Sequence, residues 1–131
     1  MTVSTVSGLF ANDINRRIEE VIKVDQVDEQ IVRDELSEYV VTDSICSHYT
    51  EILERYQETP NKPHEGIGIW VSGFFGSGKS SFAKYLGLAL ENRNLMGTGS
   101  AELFGQRTGN AKTQVILKNI SAQIPTRSVI F

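Results

Sequence analysis

The sequence predicts an α/β fold, in which a helical lead-in is followed by the start of a parallel sheet with two strands and flanking helices. Three observations predict it. Two segments before residue 60 carry apolar residues at helical spacing. A β-branched and aromatic run at residues 67–72 is bounded by glycines and has the composition of a buried strand. A glycine-rich turn then joins that run directly to another amphipathic helix.

The chain has 131 residues, enough for one small domain with a core. Apolar residues make up 40% and charged residues 22%, ordinary globular values that argue against wholesale disorder. No stretch approaches the roughly twenty uninterrupted apolar residues of a membrane span. The start, Met1-Thr2-Val3-Ser4-Thr5, has no basic cluster and no long apolar run, so no secretory signal is expected. The single cysteine, Cys46, cannot form an internal disulfide and falls in a helical pattern, where it is expected to be a small packed side chain. The expected setting is the reducing cytoplasm.

Residues 1–27 leave two possibilities open. Asn12 or Asp13 would cap a short helix through Ile14, Ile18, Val21 and Ile22, or residues 20–25 would form a short extended piece. Residues 28–40 predict a helix, with Val32, Leu36, Tyr39 and Val40 on one face and Asp28 and Glu29 at its positive end. Thr42 has the chemistry of an N-cap for the next helix, with Asp43 in its first turn. Its apolar stripe is Ile45, Tyr49, Ile52, Leu53 and Tyr56, expected as core surface. Residues 59–66, with Pro60, Pro63 and Gly66, stop it and form a polar loop. Residues 1–65 are therefore expected as a helical N-terminal region, with a subdomain boundary near 60–66 and the sheet-forming part in residues 66–131. His48 is expected on the exposed side of its helix and His64 in the loop; neither has a partner at metal-ligand spacing.

After the strand at 67–72, residues 73–78 form the glycine turn, and a helix runs from Lys79 to about Asn92 on Phe82, Tyr85, Leu86, Ala89 and Leu90. Residues 94–112 contain Gly97, Gly99, Gly105 and Gly109 and read as a mobile excursion with one short turn at 100–104. Thr113 is a candidate cap for a helix through Ile116, Leu117, Ile120 and Ile124 that Pro125 ends. Residues 128–131 then predict a second buried strand.

Charge is unevenly spread along the chain. Residues 1–71 carry 14 acidic and 6 basic side chains, and residues 72–131 carry 2 acidic and 7 basic ones. A basic half suits a phosphate-binding lobe; a solvated helical surface on the acidic half accounts for the same asymmetry. The formal net charge of −3 gives no support for nucleic-acid contact.

The turn carries the chemistry. Gly73-Phe74-Phe75-Gly76-Ser77-Gly78-Lys79-Ser80 matches G-x-x-x-x-G-K-S/T, the P-loop or Walker A pattern, at every fixed position. Glycines permit backbone angles and close approaches that a Cβ forbids. Backbone N–H groups from about Gly76 to Ser81, Ser77 among them, can then converge on phosphate oxygens, aided by the positive end of the helix. Lys79 is the catalytic candidate, a cation that reaches the β- and γ-phosphates, and Ser80 offers a hydroxyl to Mg²⁺. A chance match in a chain of this length is on the order of half a percent. The expected ligand is a nucleoside triphosphate, ATP with magnesium. At least one of Phe74 and Phe75 is expected to pack under the sheet or against a neighbouring element.

A P-loop domain needs several parallel strands and an acidic residue at the end of a later one. Two strands are predicted here, with no acidic residue after the second. Residues 66–131 are therefore expected to be the first part of a P-loop NTPase domain. Either the chain is part of a larger ATPase, the favoured expectation, or a partner chain completes the sheet.

Residues 67–87, which span the P-loop, resemble the corresponding region of BrxC-like ATPases, the large P-loop proteins of bacterial BREX (bacteriophage exclusion) defence systems. Asp13-Ile14-Asn15-Arg16, Val21-Ile22-Lys23-Val24-Asp25 and Glu35-Leu36-Ser37-Glu38-Tyr39-Val40-Val41-Thr42 are similar to that family's N-terminal region. The resemblance covers residues 13–131. It implies an ATPase that works with other BREX proteins, including a DNA methyltransferase and a phosphatase-like protein, to block phage replication. It also implies that this chain is the N-terminal part of a protein several times longer, and the family's later acidic and sensor residues have no counterpart here. Two competing readings are a small-molecule phosphotransferase, which would open with the same loop, and a non-enzymatic interaction module docking through the Ile45/Tyr49/Ile52/Tyr56 stripe.

Overall fold

A computed structural model describes Leu9, residues 28–62 and residues 68–129. The alternatives for residues 1–27 fall outside the described residues apart from Leu9, as do Ile67, Ile130, Phe131 and His64. Among the described residues the protein is mostly helical, with five α-helices and one two-stranded antiparallel hairpin.

Local chemistry starts most of the helices. In α1 (Glu29–Glu38) the Asp28 carboxylate accepts from the N–H groups of Gln30 and Ile31 at 3.0 and 3.1 Å, satisfying two donors that the first turn leaves open. In α2 (Asp43–Gln57) Thr42 Oγ1 accepts from Ile45 N at 3.3 Å, the cap the sequence indicates. The glycine turn ends where α3 (Lys79–Glu91) begins.

Residues 94–112 differ from the predicted excursion. They form a tight hairpin, β1 (Asn94–Leu95) against β2 (Thr98–Gly99), and then α4 (Ser100–Thr108). Met96 and Gly97 sit at its turn with φ of 52° and 90°, and positive φ at both central positions gives the turn a twist that matches the paired strands. Thr113 also has a different part from the one expected. Asn110 caps α5 (Ala111–Gln123), accepting from Thr113 N at 3.1 Å, and Thr113 itself is buried with its hydroxyl 2.8 Å from that of Thr50. Its small polar side chain has a partner on α2, so burial is satisfied rather than costly.

The helices share one core. Val32 and Leu36 from α1, Tyr49 and Leu53 from α2, and Tyr85, Leu88 and Ala89 from α3 join Leu95, Phe104, Ile116, Leu117 and Ile120 in a single buried cluster. The cluster takes side chains from both sides of residue 65. Cys46 is buried and free, and His48 is exposed. Among the described residues no helix is long and apolar enough to cross a membrane.

The predicted strands are the main departure. Residues 68–72 and 128–129 form neither helix nor strand, and the only sheet among the described residues is the hairpin. Ile69, Trp70 and Val71 are exposed, as is Val129. An apolar run becomes a strand only when a neighbour takes up its N–H and C=O groups, and no described segment pairs with either run.

Candidate functional site

The motif folds into a compact turn at the start of α3. Ser77 N donates to Phe74 O at 3.1 Å, closing the turn. Gly76 and Gly78 have φ of 75° and 88°, in the left-handed region where a Cβ is costly. Gly73 serves a close approach, because a Cβ there would meet Ser77 Oγ at 2.5 Å. Gly78 is the N-cap of α3 and supplies no capping side chain. The first intrahelical bond runs from Phe82 N to Gly78 O at 2.9 Å. By helix geometry the N–H groups of Gly78, Lys79, Ser80 and Ser81 therefore have no acceptor within the helix.

Lys79 folds back over this turn. Its Nζ donates to the carbonyls of Gly73 and Phe74 at 2.8 and 2.6 Å and approaches Ser77 Oγ at 3.4 Å. Among the described residues no carboxylate pairs with it, so its charge is offset only by neutral dipoles. An anion arriving at the turn would meet a cation that no described carboxylate neutralises and a set of N–H groups without helical acceptors in one place.

A cleft of about 730 Å³ runs from this turn to the side of α2. Gly73, Gly76, Ser77, Gly78, Lys79 and Ser81 line one part of it. Ser80 is exposed on the first turn of α3 but does not line the cleft, so six of the seven motif candidates share the cavity and the seventh stands beside it. Among the described residues the cleft lining contains no Asp or Glu, and no group of three or more His, Cys, Asp or Glu stands together. An exposed serine hydroxyl is a hard oxygen donor that fits Mg²⁺, and such an ion would take its other positions from phosphate and water.

Phe74 and Phe75 correct an expectation. Neither packs against a neighbour: they are 91% and 105% exposed. The element expected to cover them was the sheet, which the described residues do not form.

The remaining walls come from residues that the motif does not mark. Tyr39, Ile45, His48, Ile52 and Trp70 also line the cleft. Helical periodicity assigns Tyr39, Ile45 and Ile52 to an apolar face, and only the packing of α1 and α2 beside α3 brings that face to the loop. Tyr39 is fixed by the 3.1 Å bond of its hydroxyl to Tyr49 and by Arg107 Nε, which donates to its carbonyl at 2.9 Å. Burial raises its phenol pKa, partly offset by the bond to Tyr49, so this wall stays neutral. Tyr49 is fully buried, which makes the Ile45/Tyr49/Ile52/Tyr56 stripe largely core surface.

No protein-family model matches the chain, and no solved structure matches it.

Proposed function

We propose that this chain binds the phosphates of ATP with magnesium and acts as the nucleotide-binding part of a P-loop ATPase. The observation that carries the reading is the complete motif at the start of α3, with Lys79 unpaired by any described carboxylate above open N–H groups. Gly73, Gly76, Ser77, Gly78 and Ser81 would surround the phosphates, Lys79 would neutralise their charge, and Ser80 would hold Mg²⁺. Magnesium supplies charge neutralisation across the phosphates when bound. The same reading takes residues 67–72 and 128–131 as strands of a parallel sheet completed by further strands. The resemblance to BrxC-like ATPases supports a role in anti-phage defence in the cytoplasm, alongside other BREX proteins.

The test is fluorescent-ATP binding by the purified chain, with and without Mg²⁺, beside Lys79→Ala. Binding that strengthens with magnesium and weakens at least about tenfold in the variant, or about 1.4 kcal/mol, supports the site. Unchanged affinity in both Lys79→Ala and Ser80→Ala would end the reading.

A further inference from the structure

The cleft beside the loop is lined by two chemically different sets of residues. Gly78 and Lys79 bring open backbone N–H groups and a cation, with Gly76 and Ser77 of the same turn beside them. Tyr39, Ile45, Ile52 and Trp70 contribute mainly carbon, together with the ring of His48. The whole cleft, at about 730 Å³, lies within the range of roughly 300–1,000 Å³ common for small-molecule sites. A triphosphate has no apolar surface to offer the second set, whereas a nucleoside does.

Trp70 is placed to meet such a group. Its indole is 91% exposed, while Ile69 and Val71 on either side are 48% and 39% exposed. In an extended segment alternate side chains face opposite ways. Pairing of residues 67–72 into a sheet would therefore leave Trp70 on the face opposite Ile69 and Val71. An indole presents a flat π-surface, and stacking of a base on such a ring changes affinity roughly tenfold or more.

Resting on the phosphate-binding reading above, we propose that the apolar residues of the cleft receive the nucleoside of the same nucleotide, with its base stacked on Trp70. The loop then supplies charge-based affinity, and α1, α2 and Trp70 supply the contacts that distinguish a nucleotide from a bare polyphosphate.

Trp70 is the chain's single tryptophan, so its emission reports on the subsite directly. The full chain would be titrated with Mg·ATP and with Mg·tripolyphosphate, by calorimetry and by tryptophan fluorescence. Mg·ATP is expected to bind about tenfold more tightly than Mg·tripolyphosphate and to quench Trp70, with tripolyphosphate binding without quenching. Trp70→Ala removes an exposed side chain rather than a core contact. It should lower ATP affinity to that of tripolyphosphate and leave tripolyphosphate unaffected. Equal affinities in the native chain, or an ATP advantage that survives Trp70→Ala, overturn the nucleoside subsite and leave the phosphate site standing. Failure of both ligands to bind a folded chain overturns the two readings together, and the tripolyphosphate arm tells these cases apart.

Discussion

At Gly78 the backbone passes from loop to helix with φ of 88°, and its missing side chain leaves the first turn of α3 open. A Cβ there meets no neighbour, so the penalty for adding one is conformational rather than steric. Gly78→Ala is expected to cost about 1 kcal/mol or somewhat more, the price of a left-handed L-residue, and to weaken ATP binding by distorting the turn. Gly68→Ala is the matched control, since it also meets open space and has no positive φ. Urea unfolding and ATP titration of the two variants check this, and equal behaviour of both would remove the special role of Gly78. Residues 73–80 were legible from sequence because the chemistry of each is local to eight positions. The environment of Phe74 and Phe75 was not, since it depends on what packs across the chain from them.

Between elements, two contacts fasten the loop's helix to the preceding ones. The ring of Tyr49 on α2 stacks on Phe82 of α3 with centroids 4.1 Å apart and planes 8° from parallel, and its hydroxyl donates to Phe82 O at 3.0 Å. Tyr49→Phe keeps the stacking and removes the hydroxyl, so a loss of about 1 kcal/mol is expected. Tyr49→Ala also opens a cavity, and about 3–5 kcal/mol is expected from urea melts. The second contact is ionic: Lys84 on α3, 2% exposed, meets Glu35 Oε2 on α1, while Glu35 Oε1 is buried without a partner. Lys84→Met strands that carboxylate and is expected to cost about 3 kcal/mol, and the double variant Lys84→Met, Glu35→Leu is expected to recover the part that the Glu35 pairing carries. Failure of the double variant to recover would show that Lys84 acts through something other than its pairing with Glu35. Helices α1, α2 and α3 were legible because each combines one apolar stripe with a start signal. The hairpin and α4 were not, because four glycines in one stretch resemble a loop. The fold uses each separately: Gly97 in the turn, Gly99 against Asn92, Gly105 against Gln114 and Gly109 at the end of α4.

Across the whole molecule, the core that unites the helices is also rich in phenols, which ties its stability to alkaline pH. Tyr49 and Tyr85 are in the buried cluster, and Tyr39 packs against it with its ring 4.3 Å from that of Tyr85. Burial, the largest cause in each case, raises all three pKa values above the ordinary 10.0, and the Glu35 carboxylate adds to the effect at Tyr85. The direction of the pH effect follows from proton counting. Above about pH 10 the unfolded chain releases these protons while the folded chain retains them, so the unfolded state binds fewer protons and stability falls as pH rises. Below that point both states hold the protons and the three phenols contribute no slope. Each phenol contributes at most about 1.4 kcal/mol for every pH unit above the onset. Urea melts at a series of pH values should therefore show a decline beginning near pH 10, with tyrosinate absorbance rising together with loss of helical circular dichroism. Tyr49→Phe should flatten that decline, because one buried phenol is gone. Tyrosinate absorbance from more than one of the four tyrosines appearing well before helix is lost would mean that the buried phenols reach solvent in the folded chain, contrary to the packing that holds α1 and α2 against α3.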